Sequence, residues 1–449
     1  MTRFVGDVTV LEYFSGWVSD RLERDAVDPH APLTSLGLNS VQAAELMTIL
    51  EERYDTEITA EQIFDGLSLA EVAELVGMRG GTDISVPMVD SPPPPAALPS
   101  RELAFSLLFF SSDAQRRADS RYHLLLESAR FADRHGFHAM WLPERHFHSF
   151  GGLYPNPAVL GAALAATTER VRIRAGSVVL PLHNPVRVAE DWSVVDNLSN
   201  GRVDIAFATG WNADDFVLAD HNYADRVEVT RSGMETVARL WRGEPISLPN
   251  GAGEQRSVRI FPAPIQPALP VWLTCSGGIE RFEMAGALGV NILTALLFQE
   301  VDELAEKLSA YRRARAEHGH GSADGTVTVM LHTFVGDTDA AVRATVEAPF
   351  KRYLEDSVDL WRRGSEALEN LDEKSRAKVL DFAFERYYRN NGLFGTPDST
   401  LPMITRLREI GVDEIACLID FGIPDAEVLT GLGALAELSA KARTVHLSQ

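Results

Sequence analysis

Eight short apolar runs recur along most of the chain, each followed by a helix-like stretch, and this alternation limits the available folds more than any other feature. The runs are AFSLLFF, HAMWL, VRIRAGSVVL, VDIAFATG, VWLTC, NILTAL, TVTVMLHTFV and EIACLIDF. Strands this apolar are typical of a parallel sheet that is buried on both faces. Eight strand-helix repeats within residues 102–449 therefore predict an α/β fold, a (β/α)8 TIM barrel. A doubly wound open sheet is the alternative, but no GxGxxG follows the first run.

A proline-rich segment divides the chain into two units. It reads GTDISVPMVDSPPPPAALPS over residues 81–100, and its consecutive prolines fix φ and remove backbone donors, so neither helix nor sheet can form there. We therefore expect a small domain over residues 1–79, a linker over 80–101 and a barrel over 102–449. Residues 339–395 are long, charged and aromatic, and they predict a helical insertion that covers the barrel mouth or forms a dimer contact.

Composition excludes several classes of function. The 449 residues include 42 Lys and Arg against 64 Asp and Glu, and the net charge of −22 disfavours binding to nucleic acids and to anionic membranes. Two cysteines are too few for a disulfide framework or a Cys-rich metal site and indicate a reducing compartment. No apolar run is long enough to span a membrane, and MTRFVGDVTV lacks the order of a signal peptide. These observations predict a cytoplasmic protein.

The first 79 residues predict a small acidic helix bundle. They hold fifteen Asp and Glu against five Arg and no Lys, a net charge of −10. Ser40 precedes an amphipathic stretch that predicts a helix over 40–54. One interpretation of Ser40 is a helix N-cap whose hydroxyl satisfies a backbone amide.

A resemblance supports a second interpretation of Ser40. Residues 1–79 resemble an acyl or peptidyl carrier protein through LGLNS and, further along, ERYDTEITAEQIFDGLSLAEVAELV. The resemblance implies that Ser40 carries a 4′-phosphopantetheine arm, which a phosphopantetheinyl transferase installs. The family usually has Asp before this serine, whereas this chain has Asn39. The resemblance also implies a docking face for basic partner enzymes around Val41, Glu45 and Glu51, although a solvated helix face is the ordinary explanation for such charges.

Chemistry in a barrel of this kind takes place at the carboxyl ends of the strands. The second apolar run leads into WLPERHFHSFGGLYPNP, which contains Glu144, Arg145, His146 and His148. Histidines beside a carboxylate indicate acid-base groups, although a structural network of ion pairs would explain Glu144 equally well. The spacing does not match a zinc motif such as HExxH, so we expect no metal site.

Five motifs of the large unit together resemble bacterial-luciferase-like flavin monooxygenases, in particular the branch found in natural-product assembly lines. They are ERHF, LPLHNPVRVAEDWSVVDNLSNGR, ATGW, WLTCSGG and CLIDFG, and the resemblance covers residues 102–445. It implies that reduced FMN binds in the barrel mouth. Because no nicotinamide-binding fingerprint is evident, we expect a separate flavin reductase to supply it.

The resemblance also assigns residues to the flavin site. Gly176 and Ser177 would form the strand end under the ring, joined by a rare cis peptide bond. Arg231 would pair with the flavin phosphate, although an exposed helix face is the ordinary alternative. The remaining implied contacts are the fourth strand end and the phosphate loop after the fifth strand: Ala208, Thr209, Gly210, Trp211, Ser276 and Gly277.

One departure from the family lies after the second strand. Luciferases have two adjacent histidines after the glutamate, and the first is replaced here by Arg145, so light-emitting aldehyde chemistry is not implied. His146 is retained and is the first choice for an acid-base role. The weaker candidates are Glu144, His148 and His183. The aromatic residues expected to shield the flavin from water are Trp141, Phe147, Phe150 and Trp211.

Together the two resemblances predict an enzyme of polyketide or nonribosomal peptide biosynthesis. It would hydroxylate an acyl or aminoacyl group held as a thioester on its own carrier domain, with other assembly-line enzymes as partners and a homodimer as its assembly. The alternatives are Baeyer-Villiger oxygen insertion, oxidation at nitrogen, and a dehydrogenase that uses coenzyme F420 in the same barrel. A non-catalytic flavin-binding module is a further alternative.

Overall fold

The computed structural model describes the chain in segments. They are residues 10–22, 26–38, 40–54, 56, 58–76, 102–110, 121–297, 299–361 and 373–444. Two compact units emerge, Met1–Pro94 with Phe350–Asn390, and Pro95–Pro349 with Asn391–Gln449. The linker predicted over 80–101 lies outside the described residues. No helix in the described segments is long and apolar enough to cross a membrane.

The first unit begins with four helices around a small apolar core. They are α1 (Val10–Arg21), α2 (Ser40–Tyr54), α3 (Ala60–Phe64) and α4 (Leu69–Leu75). Thr59 and Ser68 start α3 and α4 with capping boxes, in which Gln62 and Glu71 bond back to the cap amides. The core of this bundle includes Phe14, Leu36, Leu46, Leu50, Ile63 and Val72. The predicted acidic helix bundle is thus confirmed.

The second unit contains a closed barrel of eight parallel strands. The strands of the whole unit, including three outside the barrel, are in chain order β1 (Ala104–Leu108), β2 (Ala139–Leu142), β3 (Arg172–Val179), β4 (Val203–Ala208), β5 (Ile246–Pro249), β6 (Gln255–Val258), β7 (Val271–Thr274), β8 (Asn291–Ala295), β9 (Val327–Val335), β10 (Leu393–Gly395) and β11 (Glu414–Leu418). The barrel runs β1-β2-β3-β4-β7-β8-β9-β11 and closes where β11 pairs with β1. These are the eight apolar runs of the sequence, so the predicted TIM barrel is confirmed.

Helices alternate with the barrel strands along the chain. From the barrel's first helix onward they are α5 (His123–His135), α6 (Pro157–Ala165), α7 (Pro185–Ser199), α8 (Arg226–Trp241), α9 (Ile279–Ala287), α10 (Val301–Glu317), α11 (Asp339–Trp361), α12 (Glu373–Arg386), α13 (Leu401–Glu409) and α14 (Asp425–Thr444). Asn156 and Asn184 cap α6 and α7, each just before a proline that fits the first helical position. Local sequence therefore sets where these helices begin.

Three strands lie outside the barrel wall. β5 and β6 form an antiparallel hairpin, and β10 pairs in parallel with the end of β9. The stretch 339–395 is therefore not helical throughout, because its last residues form β10. Within the described residues it contains α11 and α12, and Phe350–Asn390 belongs to the same compact unit as the carrier-like bundle.

The barrel interior holds a buried ion pair network. Arg174 donates to Asp204 at 2.6 Å and to Glu414 at 2.6 Å, and all three side chains are almost completely buried. The Arg174 guanidinium also lies over the rings of Trp141 and Trp272, 4.8 and 4.5 Å from their centres. Burial opposes ionisation of Glu414, but Arg174 outweighs that effect and lowers the pKa of this carboxyl. Arg172 also pairs with Asp204, so two arginines balance the two carboxylates of the network.

Candidate functional site

A buried carboxylate gathers two histidines at the ends of neighbouring strands. Glu144 follows β2, and its Oε1 lies 2.7 Å from Nε2 of His146 and 2.5 Å from Nε2 of His183, which follows β3. Its Oε2 accepts a hydrogen bond from the backbone amide of Val179 at 2.8 Å. The Glu144 side chain is fully buried, whereas a third of the His183 side chain is exposed. The three side chains therefore form one hydrogen-bonded group, of which the sequence had singled out every member.

The electrostatics of this group keep Glu144 ionised. Burial alone would raise its pKa, but the hydrogen bonds from His146 and His183 outweigh burial and lower the pKa of the Glu144 carboxyl. Burial would likewise lower the pKa of His183, but its bond to Glu144 prevails and raises it. Since an ionised carboxylate has no proton to donate, Nε2 of each ring is the donor. Nδ1 is then the nitrogen through which either ring can exchange a proton with a bound molecule.

The same three side chains could also hold a metal ion. Glu144, His146 and His183 each offer one ligand atom, and these atoms all lie within 4.8 Å of one another. One carboxylate with two imidazoles is a donor set suited to zinc or iron. The grouping is spatial, across two strand ends, and no sequence motif for metal binding predicted it.

Arg145, the residue that departs from the luciferase pattern, is buried and paired. Its Nη1 donates to Asp215 at 3.1 Å, and its guanidinium lies 5.3 Å from the ring centre of Trp211. Burial raises the pKa of Asp215, and the positive charge of Arg145 opposes that rise. Arg145 thus ties the end of β2 to the segment after β4, and no sequence pattern indicates Asp215 as its partner.

The ends of β3, β4 and β7 lie side by side because these strands are neighbours in the barrel. The bond between Gly176 and Ser177 is cis, as the family resemblance implied. The Ser177 hydroxyl is hydrogen-bonded to the hydroxyl of Thr274 at the end of β7. A Cβ on Gly176 would lie 2.9 Å from the ring of Trp141, so only glycine fits above that ring.

The segment after β4 turns sharply at Gly210. Gly210 has φ +72°, and a Cβ there would lie 2.9 Å from both Phe216 and Val179. Its carbonyl accepts a hydrogen bond from Nε of Arg226 at 3.1 Å. Ala208 and Thr209 are half-buried at the same strand end, and half of the Trp211 side chain is exposed. Arg226, which the sequence analysis missed, fixes this turn.

The expected phosphate contacts lie on α8 and before α9. Arg231 is half-exposed and pairs with Glu228 through two hydrogen bonds of 2.5 and 2.8 Å. Ser276 and Gly277 are exposed just before Gly278, the N-cap of α9. A Cβ on Gly277 would meet nothing within 4 Å, so there is room beside its backbone amide. Exposed amides at a helix start, together with a guanidinium that can exchange its partner, fit a phosphate group.

Of the other residues expected at the barrel mouth, some lie in the loop after β2 and one lies in the barrel core. Nδ1 of His148 accepts a hydrogen bond from the backbone amide of Phe150 at 3.0 Å, so His148 fixes its own loop and does not join the Glu144 group. Phe150 is buried and Phe147 is mostly exposed. Trp141 is fully buried against Arg174, so it is part of the barrel core and cannot act as a shield at the rim.

A further buried contact at the mouth was absent from the sequence analysis. Tyr154 donates its hydroxyl proton to Asp420 at 2.8 Å, and Asp420 also accepts from the backbone amide of Phe110 at 2.7 Å. Asp420 lies two residues after β11, and Phe110 lies two residues after β1. Asp420 lies in the CLIDFG motif, but nothing in the sequence indicates that it joins loops at three strand ends.

In the first unit, Ser40 is the first residue of α2. Asn39 lies outside the described residues. The preceding turn ends at Gly37 in the left-handed conformation, with φ 88°, and the chain then enters α2. This places the serine at a helix start, as both interpretations of the sequence required.

Comparison with known proteins now identifies both units. Residues 103–414 match the family model described as luciferase-like monooxygenase. The chain belongs to the luciferase-like monooxygenases. Residues 13–76 match the model described as phosphopantetheine attachment site, so the first unit contains a carrier domain. The protein is accordingly a luciferase-like flavin-dependent monooxygenase with a carrier domain attached.

Individual relatives agree with this assignment. The oxygenase component of flavin-dependent trigonelline monooxygenase from Acinetobacter baylyi is 26% identical over 315 residues, covering 69% of this chain and 86% of that protein. The oxygenating constituent of 3,6-diketocamphane monooxygenase from Pseudomonas putida, a type II Baeyer-Villiger monooxygenase solved with FMN, superposes with a TM-score of 0.62. It is 20% identical, and the match covers 76% of this chain and 98% of that one. An F420-dependent secondary alcohol dehydrogenase has the same fold, with a TM-score of 0.58 at 14% identity over 75% of this chain and 98% of its own.

Proposed function

We propose that this luciferase-like monooxygenase hydroxylates an acyl or aminoacyl group that is held as a thioester on the phosphopantetheine arm of Ser40. The observation that carries the proposal is the joining of a carrier domain and a flavin monooxygenase barrel in one chain. A tether raises the local concentration of its cargo at a site that the linker can reach, without any new contact. The carrier implies assembly-line biosynthesis of a polyketide or nonribosomal peptide as the setting.

FMN is the cofactor that we propose for the barrel. When bound, reduced FMN supplies the electrons that activate molecular oxygen, so that one oxygen atom enters the substrate and the other leaves as water. The residues proposed to hold its phosphate are Ser276 and Gly277, with Arg231 as the counter-charge. Ala208, Thr209, Gly210 and Trp211 would line one side of the ring, with Gly176 and Ser177 beneath it.

His146 is the proposed acid-base group, with His183 as its neighbour. Glu144 accepts hydrogen bonds from Nε2–H of both rings and holds them in fixed orientations, which leaves Nδ1 of His146 to exchange a proton with the substrate. Phe147 and Trp211 are exposed aromatic side chains after β2 and β4, where they would exclude water once a substrate arm is present. His148, a weaker acid-base candidate from the sequence, is assigned no catalytic role here, because its Nδ1 accepts a hydrogen bond from the backbone amide of Phe150 in its own loop.

The first experiment tests the carrier by intact-protein mass spectrometry. The chain is incubated with coenzyme A and a broad-specificity phosphopantetheinyl transferase, and we expect one phosphopantetheine addition that Ser40→Ala abolishes. Ser35→Ala is the matched control, because the Ser35 hydroxyl lies in the same loop region and donates to the carbonyl of Pro32 at 2.7 Å. Loading of Ser40→Ala, or failure of the wild type to load, would contradict the proposed attachment site.

The second experiment tests the oxygenation. Chains loaded from a panel of acyl-coenzyme A and aminoacyl thioesters receive reduced FMN and oxygen, and we expect one member of the panel to gain a single oxygen atom on the arm. Fragment ions then separate hydroxylation at carbon from Baeyer-Villiger insertion and from oxidation at nitrogen. If the flavin binds and no arm gains mass across the panel, the tethered-substrate proposal fails.

Use of coenzyme F420 is a second candidate function, favoured by the shared fold of the F420-dependent alcohol dehydrogenase. Hydride transfer to or from a deazaflavin consumes no oxygen, whereas the proposed oxygenation consumes one molecule per turnover. An oxygen electrode during turnover with each cofactor separates the two functions. Oxygen uptake coupled to mass gain supports FMN, and substrate oxidation in anaerobic buffer with F420 supports the dehydrogenase.

A further inference from the structure

Helix α12 packs against the carrier helices α2 and α3 within the first unit. Phe382 of α12 is 3% exposed and belongs to the same buried apolar cluster as Leu46, Leu50 and Ile63 of the carrier. Its ring lies 5.1 Å from the ring of Phe64, at the end of α3. An aromatic side chain from the barrel's insertion thus completes the carrier core.

Three basic side chains surround this apolar contact and meet acidic groups of the carrier. Lys374 and Lys378, one turn apart on α12, both form ion pairs with Glu51 of α2. Arg389 donates to Asp65 at 2.6 Å and lies 3.5 Å from Glu61. These ion pairs lie before and after Phe382 along the chain, and together they fix the position of the helix on the carrier.

The insertion orients its own arginine for this contact. Glu385 is buried, and its Oε2 accepts a hydrogen bond from Nε of Arg389 at 2.9 Å, which leaves Nη1 and Nη2 directed to the carrier. Residues 373–390 hold five basic and three acidic side chains, whereas residues 1–79 carry a net charge of −10. The two surfaces therefore have complementary charge.

The contact overlaps the face that external carrier-binding enzymes would use. Glu45 and Glu51 of α2 belong to the acidic face that is expected to dock basic partners, and Glu51 already pairs with Lys374 and Lys378. Those hydrogen bonds lower the pKa of the Glu51 carboxyl despite a small opposing effect of desolvation. Glu51 lies on the same helix as Ser40, so a protein that uses this acidic face to engage the arm competes with α12 for Glu51.

We infer that α12, with the following residues to Asn390, is a docking helix for the carrier domain of this chain, and that it competes with external enzymes for the acidic face of α2. An apolar anchor gives the docked state its geometry, and the surrounding ion pairs make it sensitive to salt. The inference rests on the proposed function in one respect: holding the carrier on the chain is useful to an enzyme that acts on the group the carrier bears. The docking itself is testable without turnover.

The experiment measures amide hydrogen exchange in the full-length chain. Lys374→Glu with Lys378→Glu places two negative charges beside Glu51, and we expect exchange in α12 and in the second half of α2 to become at least about tenfold faster. Adding Glu51→Lys to that double variant restores opposite charges and should recover most of the protection. The matched control is Arg313→Glu with Lys441→Glu, which changes the net charge equally at exposed ion pairs of the barrel and should leave α12 unchanged.

A second measurement separates docking from the chemistry of the barrel. The same variants are treated with coenzyme A and phosphopantetheinyl transferase, and we expect the double variant to load faster than the wild type because α12 no longer occupies Glu51. Phe382→Ala should give the same increase by removing the apolar anchor. Unchanged exchange in the double variant, or no recovery with Glu51→Lys, overturns the inference whether or not the loaded arm is ever oxygenated.

Discussion

Nε2 of His183 lies 2.5 Å from Oε1 of Glu144, and this contact joins the ends of two adjacent strands in the barrel mouth. For both groups, the contact also reverses the direction of the pKa shift that burial alone would cause. The pKa of His183 is raised and that of Glu144 is lowered, because each ionised form is stabilised by the other. The pair therefore offers a direct test of the proposed acid-base site.

Glu144→Gln should lower the pKa of His183. Without the carboxylate, burial is the dominant influence on the ring, so we expect the pKa to fall from above 6.5 to below it. The measurement is an NMR titration of histidine ring carbons, with the His183 signal assigned from a His183→Gln variant. Glu169→Gln, which removes an exposed carboxylate, should leave the titration unchanged. An unaltered His183 pKa in Glu144→Gln would show that Glu144 does not control the ring.

The same pair predicts a window of pH in which it stabilises the fold. The contribution of His183 is fully present below its ordinary pKa of 6.5 and is lost as pH rises through the raised folded value. The contribution of Glu144 is present above 4.5 and is lost as pH falls through its lowered folded value. Both contributions are present between the ordinary pKa values of 4.5 and 6.5. The difference in denaturation midpoint between wild type and Glu144→Gln should therefore be largest between pH 4.5 and pH 6.5. A difference that is constant across pH would contradict the ion pair.

The eight strands and the positions of the candidate site could be predicted because their signals are local. Each strand is an apolar run, and catalytic groups in such a barrel follow the carboxyl ends of the runs, as Glu144 and His146 do. The capping of α6 and α7 is similarly local, since an asparagine precedes a proline in each case. The hairpin of β5 and β6 was not predicted, because residues such as Gln255 and Arg256 are polar and exposed and form no apolar run.

Long-range pairings could not be predicted from the sequence. Nothing in RIRAG distinguishes Arg174, which is buried with Glu414, from Arg172 two residues earlier, which is partly exposed. Asp215 and Asp420 acquire their roles only when loops from separate strand ends meet. Phe382 likewise could not be singled out within the predicted helical insertion, because its partners in the carrier lie at the other end of the chain.

Arg174→Met should destabilise the barrel. The substitution leaves Glu414 buried without its counter-charge, while Asp204 keeps its ion pair with Arg172. Removing one partner of a buried ion pair typically costs about 3–5 kcal/mol. Tryptophan fluorescence during chemical denaturation is the measurement, because Trp141 and Trp272 flank the arginine. Arg170→Met, at an exposed position on the preceding turn, should change the free energy of unfolding by about 0.5 kcal/mol or less. Equal midpoints for the two variants would contradict a structural role for the network.

Gly210→Ala should weaken flavin binding by about tenfold or more, because the left-handed backbone costs about 1–2 kcal/mol and the new methyl group clashes with Phe216 and Val179. Titration of FMN, monitored by quenching of its fluorescence, measures the effect. Gly243→Ala is the matched control, since Gly243 has φ +74° and open space around it, beyond the end of α8. Both variants strain the backbone, so equal loss of affinity would indicate general destabilisation, whereas a selective loss in Gly210→Ala places the turn at the flavin.

Arg231→Ala should weaken binding of FMN and leave binding of riboflavin unchanged, because riboflavin lacks the phosphate that Arg231 is proposed to hold. A charge-assisted hydrogen bond contributes about 1.5–3 kcal/mol, so we expect a loss of at least about tenfold for FMN. Glu228→Ala should have the opposite effect, since Glu228 holds the guanidinium through two hydrogen bonds and competes with a phosphate. Arg239→Ala removes a comparably exposed arginine of the same helix and should alter neither ligand. If Arg231→Ala weakens both flavins equally, the arginine supports the helix and does not bind the phosphate.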